Sequence, residues 1–132
     1  MIHLLMGAAL FLPMDQKIVK PGFGKRVVIK TQASLTQNEE PGEFQIRVFK
    51  NNEGGAPGDS VKNVRIMPNT LFLREENPTR VTLSIDSRGL ESGPLWICIT
   101  EKEHSPSRFS SVGARLRVRT QSCYQRILQT RN

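Results

Sequence analysis

Ser111-Val-Gly-Ala-Arg-Leu-Arg-Val-Arg-Thr-Gln-Ser-Cys-Tyr124 alternates in residue type along its length. Val112, Ala114, Leu116 and Val118 fall on one parity, and Arg115, Arg117 and Arg119 on the other. Successive side chains of a β-strand point to opposite faces, so this stretch makes an apolar ribbon on one side and a cationic one on the other. A last strand of this kind either closes its own domain or lends its apolar edge to another protein's unfinished core.

Upstream, Leu95 to Glu101 carries Leu95, Ile97 and Ile99 on one face and Trp96, Cys98 and Thr100 on the other. The two cysteines, Cys98 and Cys123, therefore fall in consecutive strands, 25 residues apart. If those strands are antiparallel neighbours, directly opposed residues at a non-hydrogen-bonded site come close enough for a disulfide. Such a bridge implies an oxidising compartment. The competing reading is two unpaired buried thiols in a cytosolic protein. With Cys98 facing Cys123, Trp96 shares the outer face with the arginines, and Ile97 and Ile99 share the core side with Leu116 and Val118. Only Val112, Ala114 and the neighbourhood of Leu116 are then left to overhang the domain's own core.

The rest of the chain reads as short strands between turn signals. Pro21-Gly22-Phe23-Gly24 precedes a strand over Lys25 to Ser34, and Asn38-Glu39-Glu40-Pro41-Gly42 precedes an alternating run through Phe44, Ile46 and Val48. Asn51 to Ser60, rich in glycine and proline, reads as loop. Val61 to Met67 and Arg80 to Asp86 read as strands, joined by an irregular link with Pro68, Glu75-Glu76 and Pro78. No window has the period of an amphipathic helix. About seven short strands in a chain of this length predict an all-β, immunoglobulin-like sandwich of antiparallel strands.

The chain's 132 residues make a single domain over 1–132, with 37% apolar and 23% charged residues. Nineteen Lys and Arg against twelve Asp and Glu give +7 and a pI near 10.0. That charge favours anionic partners. The basic residues are nevertheless dispersed and the aromatic residues few, which argues against nucleic acid. Leu4 to Leu12 is apolar but too short to span a bilayer, so stable membrane insertion is not expected. Residues 1–12 read either as the remnant of a secretory signal or as a first strand.

The last third resembles the amino-terminal domain of the PapD-like periplasmic pilus-assembly chaperones. The resemblance rests on Leu95-Trp96-Ile97-Cys98, then Ser105-Pro106, then the alternating Val112 to Cys123. The cysteine pair is similar to that of the long-loop subclass, and Val64-Arg65-Ile66-Met67-Pro68 with Arg80-Val81-Thr82-Leu83 resembles the family's proline-marked segment leading into a strand. The resemblance implies a periplasmic domain that donates its last strand to a pilus or fimbrial subunit, with Val112, Ala114, Leu116 and Val118 entering the subunit's groove. It also implies an outer-membrane usher as a further partner, and no cofactor. The family anchors the subunit's terminal carboxylate with two cations. Lys17 matches the first position, whereas the second, two residues after Cys123, is the uncharged Gln125 with Arg126 beside it. Lys17 and Arg126 are thus the anchor candidates. Family members carry a second immunoglobulin-like domain; the 132 residues read as the first alone, which is open to three readings, a fragment, a degenerate copy or a single-domain relative.

Enzyme readings find little support. His3 and His104 stand in no zinc-ligand spacing with a cysteine, no metal site is expected, and no serine has a histidine and aspartate to activate it. Gly54-Gly55-Ala56-Pro57-Gly58 lacks the lysine and the strand-to-helix context of a phosphate loop. The alternative to a chaperone is a stand-alone immunoglobulin-like interaction module, similar to major sperm protein domains, whose arginine face holds acidic protein partners.

Overall fold

The computed structural model describes residues 8–12, 17–36, 41–74, 77–102 and 121–130. Its strands are, in chain order, β1 (Ala8–Phe11), β2 (Ile18–Val19), β3 (Arg26–Leu35), β4 (Gly42–Asn51), β5 (Pro57–Ser60), β6 (Val64–Met67), β7 (Leu71–Leu73), β8 (Thr79–Asp86), β9 (Gly93–Glu101) and β10 (Gln121–Leu128). They form two sheets, one in the order β1-β3-β8-β6 and one in the order β2-β10-β9-β4-β5, with β7 also paired to β4. The result is the all-β, antiparallel-rich sandwich that the alternation predicts.

Alternation becomes burial along each long strand. Val27, Ile29 and Ala33 of β3 face Val81, Leu83 and Ile85 of β8 on the inner side of one sheet. Phe44, Ile46 and Val48 of β4, with Leu95, Ile97 and Ile99 of β9, line the inner side of the other. All of these are at most 4% exposed. Each fully buried Val, Leu, Ile or Phe contributes about 1.5–3 kcal/mol relative to exposure, so this double layer dominates the stability of the fold.

The amino end serves both sheets. β1 runs antiparallel to β3, with Leu10 opposite Ala33, whereas β2 runs parallel to β10, with Ile18 opposite Ile127. Ala8, Leu10 and Leu12 are buried, so the apolar start of the chain supplies core residues.

Two segments depart from the sequence reading. Pro57–Ser60, expected within a loop, is the edge strand β5. The Asn52 side chain accepts hydrogen bonds from the Gly54 and Ala56 amides at 2.8 and 3.0 Å, reversing the chain so that it returns along β4. Proline suits an edge strand because no partner needs its missing N–H. Gly58 lies so close to Asn52 that a Cβ there would come within 3.1 Å of that residue's own Cβ. Within the expected link from Pro68 to Pro78, Leu71 and Leu73 are buried and pair as β7 with the start of β4. Three residues are too short a run for alternation to identify.

Candidate functional site

Cys98 and Cys123 stand directly opposite each other in β9 and β10, with Cα atoms 4.0 Å apart, and form a disulfide. The bridge lies on the outer side of the sheet, near the start of β10. Val112, Ala114, Leu116 and Val118 lie outside the described residues. Their parity is that of Tyr124, Arg126 and Leu128, which point inward.

β10 is hydrogen-bonded to β9 along its whole length but meets β2 only at Ile127 and Leu128. The amides of Ile127 and Gln129 donate to the carbonyls of Lys17 and Val19 at 2.9 Å. Main-chain groups alternate in direction along a strand, so those of Gln121, Cys123 and Gln125 turn toward the same side. Before Ile127, no strand among the described residues pairs with that side of β10. Among the described residues it is a sheet edge, held on its other side by β9 and stapled by the disulfide.

At the foot of this edge lie the two cationic candidates. Lys17 is exposed and immediately precedes β2. Arg126 is 9% exposed and turned inward, where its Nη2 donates to the Leu12 carbonyl and its Nη1 to the Gln125 carbonyl, each at 2.8 Å. Burial pulls its guanidinium below the usual arginine range. Gln125, on the opposite face, is exposed. The structure thus separates the pair: Lys17 presents a cation to solvent, while Arg126 ties the end of β1 to β10. Tyr124 acts beside it, its hydroxyl accepting the Leu10 amide at 3.2 Å. Neither clamp was anticipated from the sequence. The signal available for Arg126 was its position, an arginine on the parity that Leu128 identifies as inward.

The outer face beside the disulfide is built from side chains aligned across strands. Phe49, Trp96 and Gln125 share one row, and Arg47, Cys98 and Cys123 the next. Trp96 donates its indole N–H to Asn51 Oδ1 at 2.9 Å, and the Arg47 guanidinium lies 5.6 Å from the centre of the Phe49 ring.

This arrangement has counterparts among solved structures. The periplasmic chaperone SfaE superposes with a TM-score of 0.56 at 11% identity, over 96% of this chain and 58% of its own. A chain from the complex of the Salmonella enterica SafA pilin with the SafB chaperone superposes with a TM-score of 0.59 at 16% identity, over 98% and 57%. The fold is that of these chaperones. The resemblance read from the cysteine and strand pattern is thus matched in three dimensions across nearly the whole chain. The chain spans somewhat under three-fifths of the length of the structures it matches. No protein-family model matches the sequence, and no curated protein matches it either. Among the described residues, no helix is long and apolar enough to cross a membrane.

Proposed function

We propose that this chain is a periplasmic chaperone domain that binds pilus-type subunits by adding its last strand to their sheets. The observation that carries the reading is the edge of β10 beyond Ile127's pairing with β2, in a chaperone fold whose next upstream residues alternate from Val112 to Val118. Main-chain hydrogen bonds extend the subunit's sheet, and Val112, Ala114, Leu116 and Val118 enter its groove. Fully burying a Val or Leu is worth about 1.5–3 kcal/mol, enough for a few such side chains to hold a transient complex. Lys17 is the exposed cation to which a subunit's terminal carboxylate binds, as a charge-assisted hydrogen-bond donor. Arg126 supports it by holding the neighbouring chain in place. The disulfide fits an oxidising compartment and fixes the base of the donated strand.

The test is a pull-down from a periplasmic extract of the source organism with the oxidised domain as bait, Ala114→Asp as the control and mass spectrometry as readout. Pilus-type subunits recovered by the unsubstituted domain alone are the expected result. A folded, disulfide-bonded bait that captures none overturns the proposal and leaves a stand-alone immunoglobulin-like interaction module.

A further inference from the structure

On the outer face of the four-stranded sheet, cationic and apolar side chains interleave. Register aligns Phe11 with Arg80 through Gln32, Lys30 with Met67 through Thr82, and Val28 with Arg65 through Ser84. Each row thus carries one long basic side chain and one large apolar one, two strands apart with a polar residue between them. Phe11, Val28 and Met67 are 65%, 50% and 63% exposed, and Lys30, Arg65 and Arg80 are exposed as well. Exposed apolar side chains gathered on one face mark an interaction surface more often than scattered ones do.

Among the described residues, the charge of this face is one-sided. Among the described residues, Asp86 is the only carboxylate at an outward position of β1, β3, β6 or β8. It is already held by Arg88, whose Nε and Nη2 donate to its two oxygens at 3.0 and 2.9 Å. A hollow of about 430 Å³ opens beside Phe11, Lys30 and Arg80, within the size range of small-ligand sites.

We propose that this face docks on the surface of an anionic phospholipid bilayer. Charge complementarity identifies the occupant, and the interleaving narrows it. A bilayer surface presents phosphates and an apolar boundary together over a broad area, which suits arginine and lysine heads flanked by Phe11, Val28 and Met67. A soluble acidic peptide offers the charge without the apolar layer. The hollow seats a headgroup phosphate between Lys30 and Arg80. The inference stands independently of the chaperone reading.

The test is flotation of the purified domain with phosphatidylcholine vesicles containing or lacking phosphatidylglycerol. Binding is expected only with the anionic lipid. Each basic residue near such a surface contributes roughly a fivefold gain, so Arg65→Gln/Arg80→Gln should weaken binding by about 30-fold. Arg47→Gln/Arg74→Gln, which removes the same charge from β4 and from just past the end of β7, should change it by less than about threefold. Emission from Phe11→Trp should shift to the blue on anionic vesicles, while Trp96 in the unsubstituted protein, on the opposite sheet, should not respond. Equal loss in the two double variants, or equal binding to neutral vesicles, overturns the proposal. So does binding to soluble polyglutamate without vesicle binding, which assigns the face to an acidic protein.

Discussion

The guanidinium of Arg126 donates to the carbonyl of Leu12 at 2.8 Å, joining residues 114 positions apart in the chain. The contact lets one buried cation do what a strand ladder does elsewhere. β1 pairs with β3 in one sheet, yet its end is fastened to β10 in the other. Two main-chain carbonyls accept from a charged donor there, and such bonds are stronger than neutral ones.

Arg126→Met keeps the length and much of the volume of the side chain but leaves both carbonyls without that donor. A loss of about 2–3 kcal/mol is expected, read as a fall in the urea midpoint at unchanged slope. Arg126→Lys should recover only part of it, since one ammonium cannot reproduce the planar fork. A stability equal to that of the parent would mean that the buried guanidinium costs as much in desolvation as its hydrogen bonds return.

Tyr124→Phe removes only the hydroxyl that accepts the Leu10 amide. The expected cost is about 1 kcal/mol. Its location is the sharper readout. Amide exchange at Leu10 should accelerate, while the Ile29 and Leu83 amides in the centre of the same sheet keep their protection. Uniform acceleration across the sheet would mean that the hydroxyl supports the whole fold and not the attachment of β1.

Removing the bridge with Cys98→Ala/Cys123→Ala frees a loop of 25 residues in the unfolded chain. The chain-entropy model puts the resulting destabilisation at about 3–4 kcal/mol. Thermal unfolding of the oxidised protein and of this variant measures it. Cys98 is 1% exposed, so the alanine there also loses some packing.

Much of this architecture is legible from residue order, and the exceptions have a common cause. β3, β4, β8 and β9 carry a buried apolar residue at nearly every second position, and their expected bounds lie within a few residues of the observed ones. The opposition of Cys98 and Cys123 is expected on condition that their strands are antiparallel neighbours, and the register of β9 and β10 meets that condition. β10 runs five residues past Cys123 because Tyr124, Arg126 and Leu128 continue the inward parity. An arginine at an inward position breaks the binary pattern, and its hydrogen bond to the Leu12 carbonyl, 114 positions away, is a tertiary contact that residue order does not show. β5 has no apolar residue other than its proline and owes its strand geometry to the turn built by Asn52 and to the edge of β4. Of the candidate site, the cysteine pair could be read in advance. The clamps of Arg126 and Tyr124 could not, because both join segments far apart in sequence.

Asp86 gives a pH signature at the opposite end of the sandwich. Hydrogen bonds from the Arg88 side chain and amide hold its carboxyl at about 2, well below the ordinary 3.8. A carboxyl depressed by folding stabilises the folded state fully above its unfolded value, and that stabilisation fades as pH falls toward the folded value. The parent should therefore lose stability between about pH 4 and 2 more steeply than Asp86→Asn, in urea midpoints measured across that range. Parallel curves would show that the pair with Arg88, whose side chain is 71% exposed, is screened by solvent.

Parity along the stretch before Gln121 separates the two functional readings most directly. In the chaperone reading Leu116 faces a subunit's groove and Arg117 faces away, so Leu116→Asp should abolish subunit capture while circular dichroism stays that of the parent. A buried aspartate in an apolar groove costs several kcal/mol, more than the few apolar contacts of a transient complex can offset. Arg117→Glu should then have little effect. Unfolding of Leu116→Asp would place Leu116 in the domain's own core. Loss of partner binding in Arg117→Glu alone would assign recognition to the arginine face and to an acidic protein, because a charge reversal on the outward parity leaves the apolar ribbon intact.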